Sequence, residues 1–232
     1  MITERQVEIL NSVVQEYIDS AQPVSSQLLE KKHKFEVCPA TIRIEMQKLT
    51  DGGYLCQPHT SAGRVPTDKG YRFFVDELLE RGIEYLKNGF EIEWVDRKGD
   101  PLKFTKTITD FLASESSNLA LGYLSSEKVL WKEGWRGVFE EPEFAQAGFA
   151  SGFLQIIDDF EKNIEDLLSG FPTEIQIYIG QENPISKNKD FSIIASKFVL
   201  PDYEEIFAIV GPKRMSYQKN ISLFNSLVHL LK

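Results

Sequence analysis

Two residues that can read nucleic-acid bases stand four positions apart in this sequence, Arg43 and Gln47. A guanidinium donates in a fork that matches O6 and N7 of guanine. A glutamine amide sets a donor beside an acceptor, matching N7 and N6 of adenine. Between them stands Ile44, whose natural base partner is a thymine methyl. If Ile42, Met46 and Leu49 face a core, helical spacing turns Ala40, Ile44, Gln47, Lys48 and Asp51 outward, with Thr41 and Arg43 flanking them. Arg43 also has a plainer reading, a surface pair with Glu36 or Glu45.

A second cluster follows, His59-Thr60-Ser61-Ala62-Gly63-Arg64. The Thr60 and Ser61 hydroxyls suit phosphate oxygens, and small residues let a backbone come close to a phosphate. Arg64, expected near the tip of a loop, suits a minor groove. His59 either contacts phosphate or faces water, and the whole segment can equally be a hairpin turn with a solvated arginine. Ser25, Lys69 and Arg72 complete the set of candidate DNA contacts.

The charge distribution bears on this chemistry. The 232 residues carry a net charge of −9, which argues against a phosphate-binding surface spread over the whole chain. Residues 31–72, however, hold eight lysines and arginines against four acids, +4 in all, so the remainder carries −13. A basic island in an acidic chain fits a small nucleic-acid module joined to a part that does not bind it.

The elements needed to position these residues are legible. Thr3-x-x-Gln6 forms a capping box, and Val7, Leu10, Val13, Val14, Tyr17 and Ile18 recur at helical spacing to about Ser20. Gln22-Pro23 ends that helix, and Ser25 caps a second, short one to about Lys32. Pro39 opens a third, from Ala40 to about Thr50, which Gly52-Gly53 stops. Tyr54–Gln57 and Arg64–Pro66 read as the strands of a wing, and Thr67-Asp68 caps a fourth helix bearing Tyr71, Phe74, Val75, Leu78 and Leu79. Three short helices and a hairpin describe a winged helix-turn-helix over residues 1–80.

Residues 81–104, broken by Gly82, Gly89, Gly99 and Asp100-Pro101, read as a connector. From 105 to 232 the expected helices are Ile108–Leu112, Phe153–Leu168 and Ser222–Leu231. The expected strands are Leu119–Leu124, Ile175–Ile179, Phe191–Ala195 and Ile206–Val210. The fold class is α+β, a winged helix followed by an antiparallel sheet with flanking helices.

Other chemistry is sparse. Cys56-x-x-His59 has no second pair at zinc spacing, so no metal is expected, and no cofactor motif occurs. No nucleophile elbow, P-loop or dinucleotide fingerprint supports an enzyme. Gly211-Pro212-Lys213-Arg214 either binds an anion at a helix start or is a turn that fixes helix packing. With no apolar run near the ~18 residues a membrane span needs, no signal-peptide pattern and two cysteines, the expected location is cytoplasmic.

The stretches Pro39-Ala40-Thr41-Ile42-Arg43 and Gln57-Pro58-His59-Thr60-Ser61-Ala62-Gly63-Arg64-Val65-Pro66-Thr67-Asp68-Lys69-Gly70-Tyr71-Arg72 resemble the heat-inducible transcription repressor HrcA family. A weaker likeness lies in Ile179–Asn183 and Val210–Tyr217. The resemblance implies a dimeric repressor, a GAF-like domain and an inverted-repeat operator ahead of chaperone genes. It further implies release on heat stress and an active form that depends on the GroEL chaperonin. Two departures stand out. Ile44 takes the place of a usual asparagine, and the chain is shorter than family members in the middle, where they carry a dimerising insertion. A rival reading is a winged-helix regulator whose second domain senses a small ligand.

Overall fold

The computed structural model describes residues 2–33, 35, 37–82, 100–201 and 203–231. The chain divides into two compact units, Met1–Gly82 and Ile83–Lys232. No described helix is long and apolar enough to cross a membrane.

The first unit opens with α1 (Glu4–Ser20), started by the expected capping box: Gln6 N–H donates to Thr3 Oγ1 at 3.3 Å and Thr3 N–H to Gln6 Oε1 at 3.0 Å. Ala21, at a φ of 53°, ends it. α2 (Ser26–Lys32) is capped by Ser25, whose hydroxyl accepts from Leu28 N–H at 3.1 Å. α3 (Pro39–Asp51) begins on its proline and stops at Gly52, followed by Gly53 at a φ of 76°. The hairpin β1 (Leu55–Cys56) and β2 (Val65–Pro66) leads into α4 (Asp68–Glu80), capped by Thr67. α1 packs against α3, α4 and β2, sealing a core that includes Leu10, Val13, Leu29, Ile42, Leu49 and Tyr71. Each such aliphatic side chain stabilises the fold by about 1.5–3 kcal/mol. Gly70 has no room for a side chain, because a Cβ there would lie 2.2 Å from the Tyr54 carbonyl oxygen.

The second unit begins with α5 (Pro101–Ser116), seven residues earlier than the periodicity predicts. Asp100-Pro101, which reads as a break, is a helix start: the Asp100 carboxylate accepts from Leu102 N–H at 3.0 Å, and the proline lies at the helix beginning. The expected connector therefore loses residues 101–104 to a helix, and its positions 83–99 lie outside the described residues.

β3 (Leu119–Leu124) and β4 (Val129–Glu133) form a hairpin, followed by α6 (Trp135–Phe139), α7 (Ala147–Lys162) and α8 (Ile164–Gly170). Then come β5 (Gln176–Ile179), β6 (Phe191–Val199), β7 (Glu204–Pro212) and α9 (Tyr217–Leu231). The five strands lie in the order β4-β3-β7-β6-β5, every neighbouring pair antiparallel.

Alternate residues separate the two faces. Leu119, Leu121, Ile193, Ala208 and Val210 meet Val138 of α6 and Phe153, Ile156 and Phe160 of α7. The opposite face meets α5 and α9; there a Cβ on Gly122 would collide with Thr109, and Ser192 bonds the Tyr217 hydroxyl at 2.7 Å. This helix-covered antiparallel sheet bears out the expected α+β class and fits the GAF-like arrangement that the resemblance implies.

β4 and α6 escaped sequence reading, since a half-buried edge strand carrying Lys132 and Glu133 alternates too weakly. The single helix expected over 153–168 is two, broken at Asn163, whose side-chain amide bonds the Asp159 carbonyl at 2.7 Å in competition with the backbone.

Candidate nucleic-acid interface

α3 buries Ile42, Met46 and Leu49 and presents Arg43, Ile44, Gln47 and Lys48 to solvent. Ile44 is 56% exposed, an apolar side chain left uncovered in the middle of a charged face. Among the described residues Arg43 has no ion-pair partner. Of its two alternative partners, Glu36 lies outside the described residues, and Glu45 turns inward, accepting from Gln6 Nε2 at 2.8 Å and Lys48 Nζ at 3.0 Å. The Lys48 bond, reinforced by Gln6 against the opposing effect of burial, holds the Glu45 carboxyl below its ordinary range. Lys48 thus spends part of its charge within α3, on the carboxylate that Gln6 links to α1. Thr41 lies at the first turn, 3.4 Å from Cys38 Sγ. That hydroxyl and the N–H groups of Thr41 and Ala40 draw the exposed Cys38 thiol below its usual pKa.

A buried carboxylate sets the spacing of α1 and α2. Glu16, 7% exposed, accepts from Lys32 at 2.6 Å and lies 3.2 Å from the His33 ring nitrogen. Burial alone would raise its pKa, but the two bonds outweigh that and lower it.

The wing is held by more than its two short strands. Val24, from the α1–α2 link, pairs with Arg64 through N–H to O bonds of 2.9 and 2.8 Å. Gln57 Nε2 closes the loop onto the Thr60 and Ala62 carbonyls, and His59 Nδ1 lies 3.2 Å from Ser61 Oγ. His59, Thr60 and Ser61 are exposed at the loop. Arg64 is not at the tip, as the sequence suggested. It stands at the wing's root, where Nε donates to Thr50 Oγ1 at 3.0 Å and Nη2 to Gln47 Oε1 at 2.8 Å. The small residue Gly63 answers the backbone of Val24, not a ligand.

The remaining candidates divide. Lys69 donates to the Gly52 carbonyl at 2.9 Å and rides over the Tyr54 ring at 4.2 Å, so its ammonium braces the fold. Arg72 lies on α4, 3.5 Å from Asp76. Ser25 is committed to its cap. Thr50 and Asp51, absent from the predicted contacts, join Gln47 in one network; the i, i+4 spacing of Gln47 and Asp51 is the signal that pointed to it.

In the second unit, of the two readings of Gly211-Pro212-Lys213-Arg214, the surroundings of Arg214 favour the structural turn over the anion site. Its guanidinium, 10% exposed, bonds Glu143 through Nε at 2.5 Å and Nη2 at 2.9 Å, and Glu141 as well. Burial would lower its pKa, but the two carboxylates raise it. A guanidinium so neutralised has little attraction left for a ligand anion. Neighbouring Lys213 donates its backbone N–H to Asp190 at 3.2 Å, consistent with a structural turn. Elsewhere a cavity of about 440 Å³ lies among Asp166, Leu167, Phe171, Tyr178 and Ile185.

Residues 69–221 match the family described as the HrcA protein C terminal domain. The heat-inducible transcription repressor HrcA of Alkaliphilus metalliredigens is 56% identical over 323 residues, covering 95% of this chain and 94% of that protein. Its counterpart from Thermodesulfovibrio yellowstonii is 29% identical over 338 residues, covering 100% and 97%. Both alignments are longer than the 232 residues of this chain, so both bridge stretches that it lacks. Among solved structures, a protein described as hypothetical, determined at 2.2 Å, superposes with a TM-score of 0.82 at 21% identity, covering 100% of this chain and 98% of that one. That likeness concerns the fold.

Proposed function

Since the chain belongs to the heat-inducible transcription repressor HrcA family, a family of non-enzymatic transcription repressors, we propose that it grips an inverted-repeat operator as a homodimer and lets go on heat stress. The observation that carries this reading is the outer face of α3, where Arg43, Ile44 and Gln47 stand exposed above a buried apolar stripe. In the proposed complex Arg43 reads guanine, Gln47 adenine and Ile44 a thymine methyl. Lys48, Thr60, Ser61 and His59 face the phosphates. A dimer sets two such helices on half-sites about 34 Å apart, or a multiple of that spacing. Heat release follows if the active fold is only marginally stable and leans on the chaperonin, which unfolded clients occupy during stress.

The test is titration of the full chain against a labelled inverted-repeat duplex and a scrambled one across a salt series. Preference for the repeat, a loss of about 5- to 100-fold with Arg43→Ala, and weakening as salt rises support the proposal. Equal, weak binding to both duplexes rejects it.

A second reading, a ligand-sensing regulator, draws on the cavity beside Phe171 and Tyr178. It requires a metabolite that raises the melting temperature saturably and changes operator affinity; a screen with no such compound removes it.

A further inference from the structure

Gln47 is held from both ends. Its Oε1 accepts from Arg64 Nη2 at 2.8 Å and its Nε2 donates to Asp51 Oδ1 at 2.8 Å. The amide's orientation is chemically forced, because a guanidinium only donates and a carboxylate only accepts. Turning the amide over would set donor against donor and acceptor against acceptor. Arg64 is itself fixed: its Nε donates to Thr50 Oγ1, whose hydroxyl donates to the Met46 carbonyl at 2.8 Å, and its backbone pairs with Val24.

Each neighbour takes one of the amide's two hydrogens or one of its two lone pairs, leaving a donor and an acceptor of the amide uncommitted on a solvent-exposed residue.

Asp51 is otherwise badly placed. It is the last residue of α3, where the helix dipole disfavours an anion, and it lies on the face that would approach phosphates. Its carboxylate accepts from the Gln47 amide.

We infer that Asp51 and Arg64 are positioning residues that lock the Gln47 amide in one polarity, so that this position of α3 accepts adenine and refuses base pairs requiring the opposite order. A free glutamine can flip and serve either order; a locked one cannot. The inference rests on the operator-binding reading above.

The experiment lets the full-length wild-type protein enrich an operator from a pool of randomised duplexes. Every single-base change in that operator is then competed against it, for wild type, Gln47→Ala, Asp51→Ala, Asp51→Asn and the double Gln47→Ala, Asp51→Ala variant. Asp51 is exposed and outside the core, and far-UV circular dichroism verifies that each variant is folded.

Gln47→Ala should lower discrimination about tenfold at one base pair of each half-site. Asp51→Ala should lose a similar factor at that same pair, while binding to a scrambled duplex stays level or rises because a carboxylate has gone. Asp51→Asn, whose carbonyl still accepts from the amide, should restore discrimination. The double variant should be no worse than Gln47→Ala, since the two residues act as one unit.

Unchanged discrimination in Asp51→Ala, or an equal loss at every base pair, overturns the lock while leaving the repressor reading intact. Failure of the wild-type protein to enrich any sequence instead overturns the operator-binding reading, and the lock falls with it.

Discussion

A Cβ placed on Gly63 would lie 2.3 Å from the carbonyl oxygen of Val24. The wing therefore returns directly across the link between α1 and α2, and that close crossing makes the paired N–H to O bonds of Val24 and Arg64 possible. Gly63→Ala must push the two backbones apart. We expect a loss of about 1–3 kcal/mol in the first unit. It should appear as faster amide exchange at Val24 and Arg64, with weaker operator binding. Unchanged exchange at both positions would show that the crossing is looser than described.

Glu16 ties the ends of α1 and α2 through Lys32 and His33, and its carboxyl titrates below the ordinary range. A carboxyl with a depressed folded pKa adds stability above its unfolded pKa, and that stability is lost as pH falls through the folded value. Acidification through the acid range of glutamate should therefore open α1 and α2 to exchange. Glu16→Gln should flatten that dependence and cost about 1 kcal/mol near neutral pH, the partners being partly exposed. An identical acid profile in the variant would contradict this role.

Arg214 neutralises Glu141 and Glu143 from the end of β7. Removing one member of a largely buried ion cluster leaves the others uncompensated, so Arg214→Ala should destabilise the second unit by about 2–4 kcal/mol. Arg214→Lys should recover only part of this, because an ammonium cannot serve two carboxylates in a planar fork. Thermal unfolding followed by tryptophan fluorescence measures both, Trp131 and Trp135 lying in that unit. A lysine variant as stable as wild type would refute the geometric argument.

Cys38 precedes the first turn of α3 with its thiol lowered by Thr41 and nearby backbone N–H groups. Alkylation by iodoacetamide should rise with pH to a midpoint below that of an ordinary thiol, and Thr41→Val should move the midpoint upward. Mass spectrometry of the Cys38 peptide follows the rate. A midpoint unaffected by Thr41→Val would assign the shift elsewhere.

The sequence by itself determined the local grammar of the first unit. Thr3, Ser25, Pro39, Gly52-Gly53 and Thr67 begin and end its helices within one turn of where they stand, because caps and breakers act on the N–H and C=O groups next to them. The spacing of Ile42, Met46 and Leu49 likewise fixed which way Arg43 and Ile44 face. Only the tertiary structure decided what the charged side chains touch. Arg64 reaches Gln47 across 17 positions, and Arg214 reaches Glu143 across 71. Such partners are chosen by how strands and helices cross, so an arginine that reads as free for a ligand in the sequence is already engaged in the fold. Edge strand β4 stayed hidden for a related reason: its half-buried residues take their order from pairing with β3, and their own alternation is too weak to announce it.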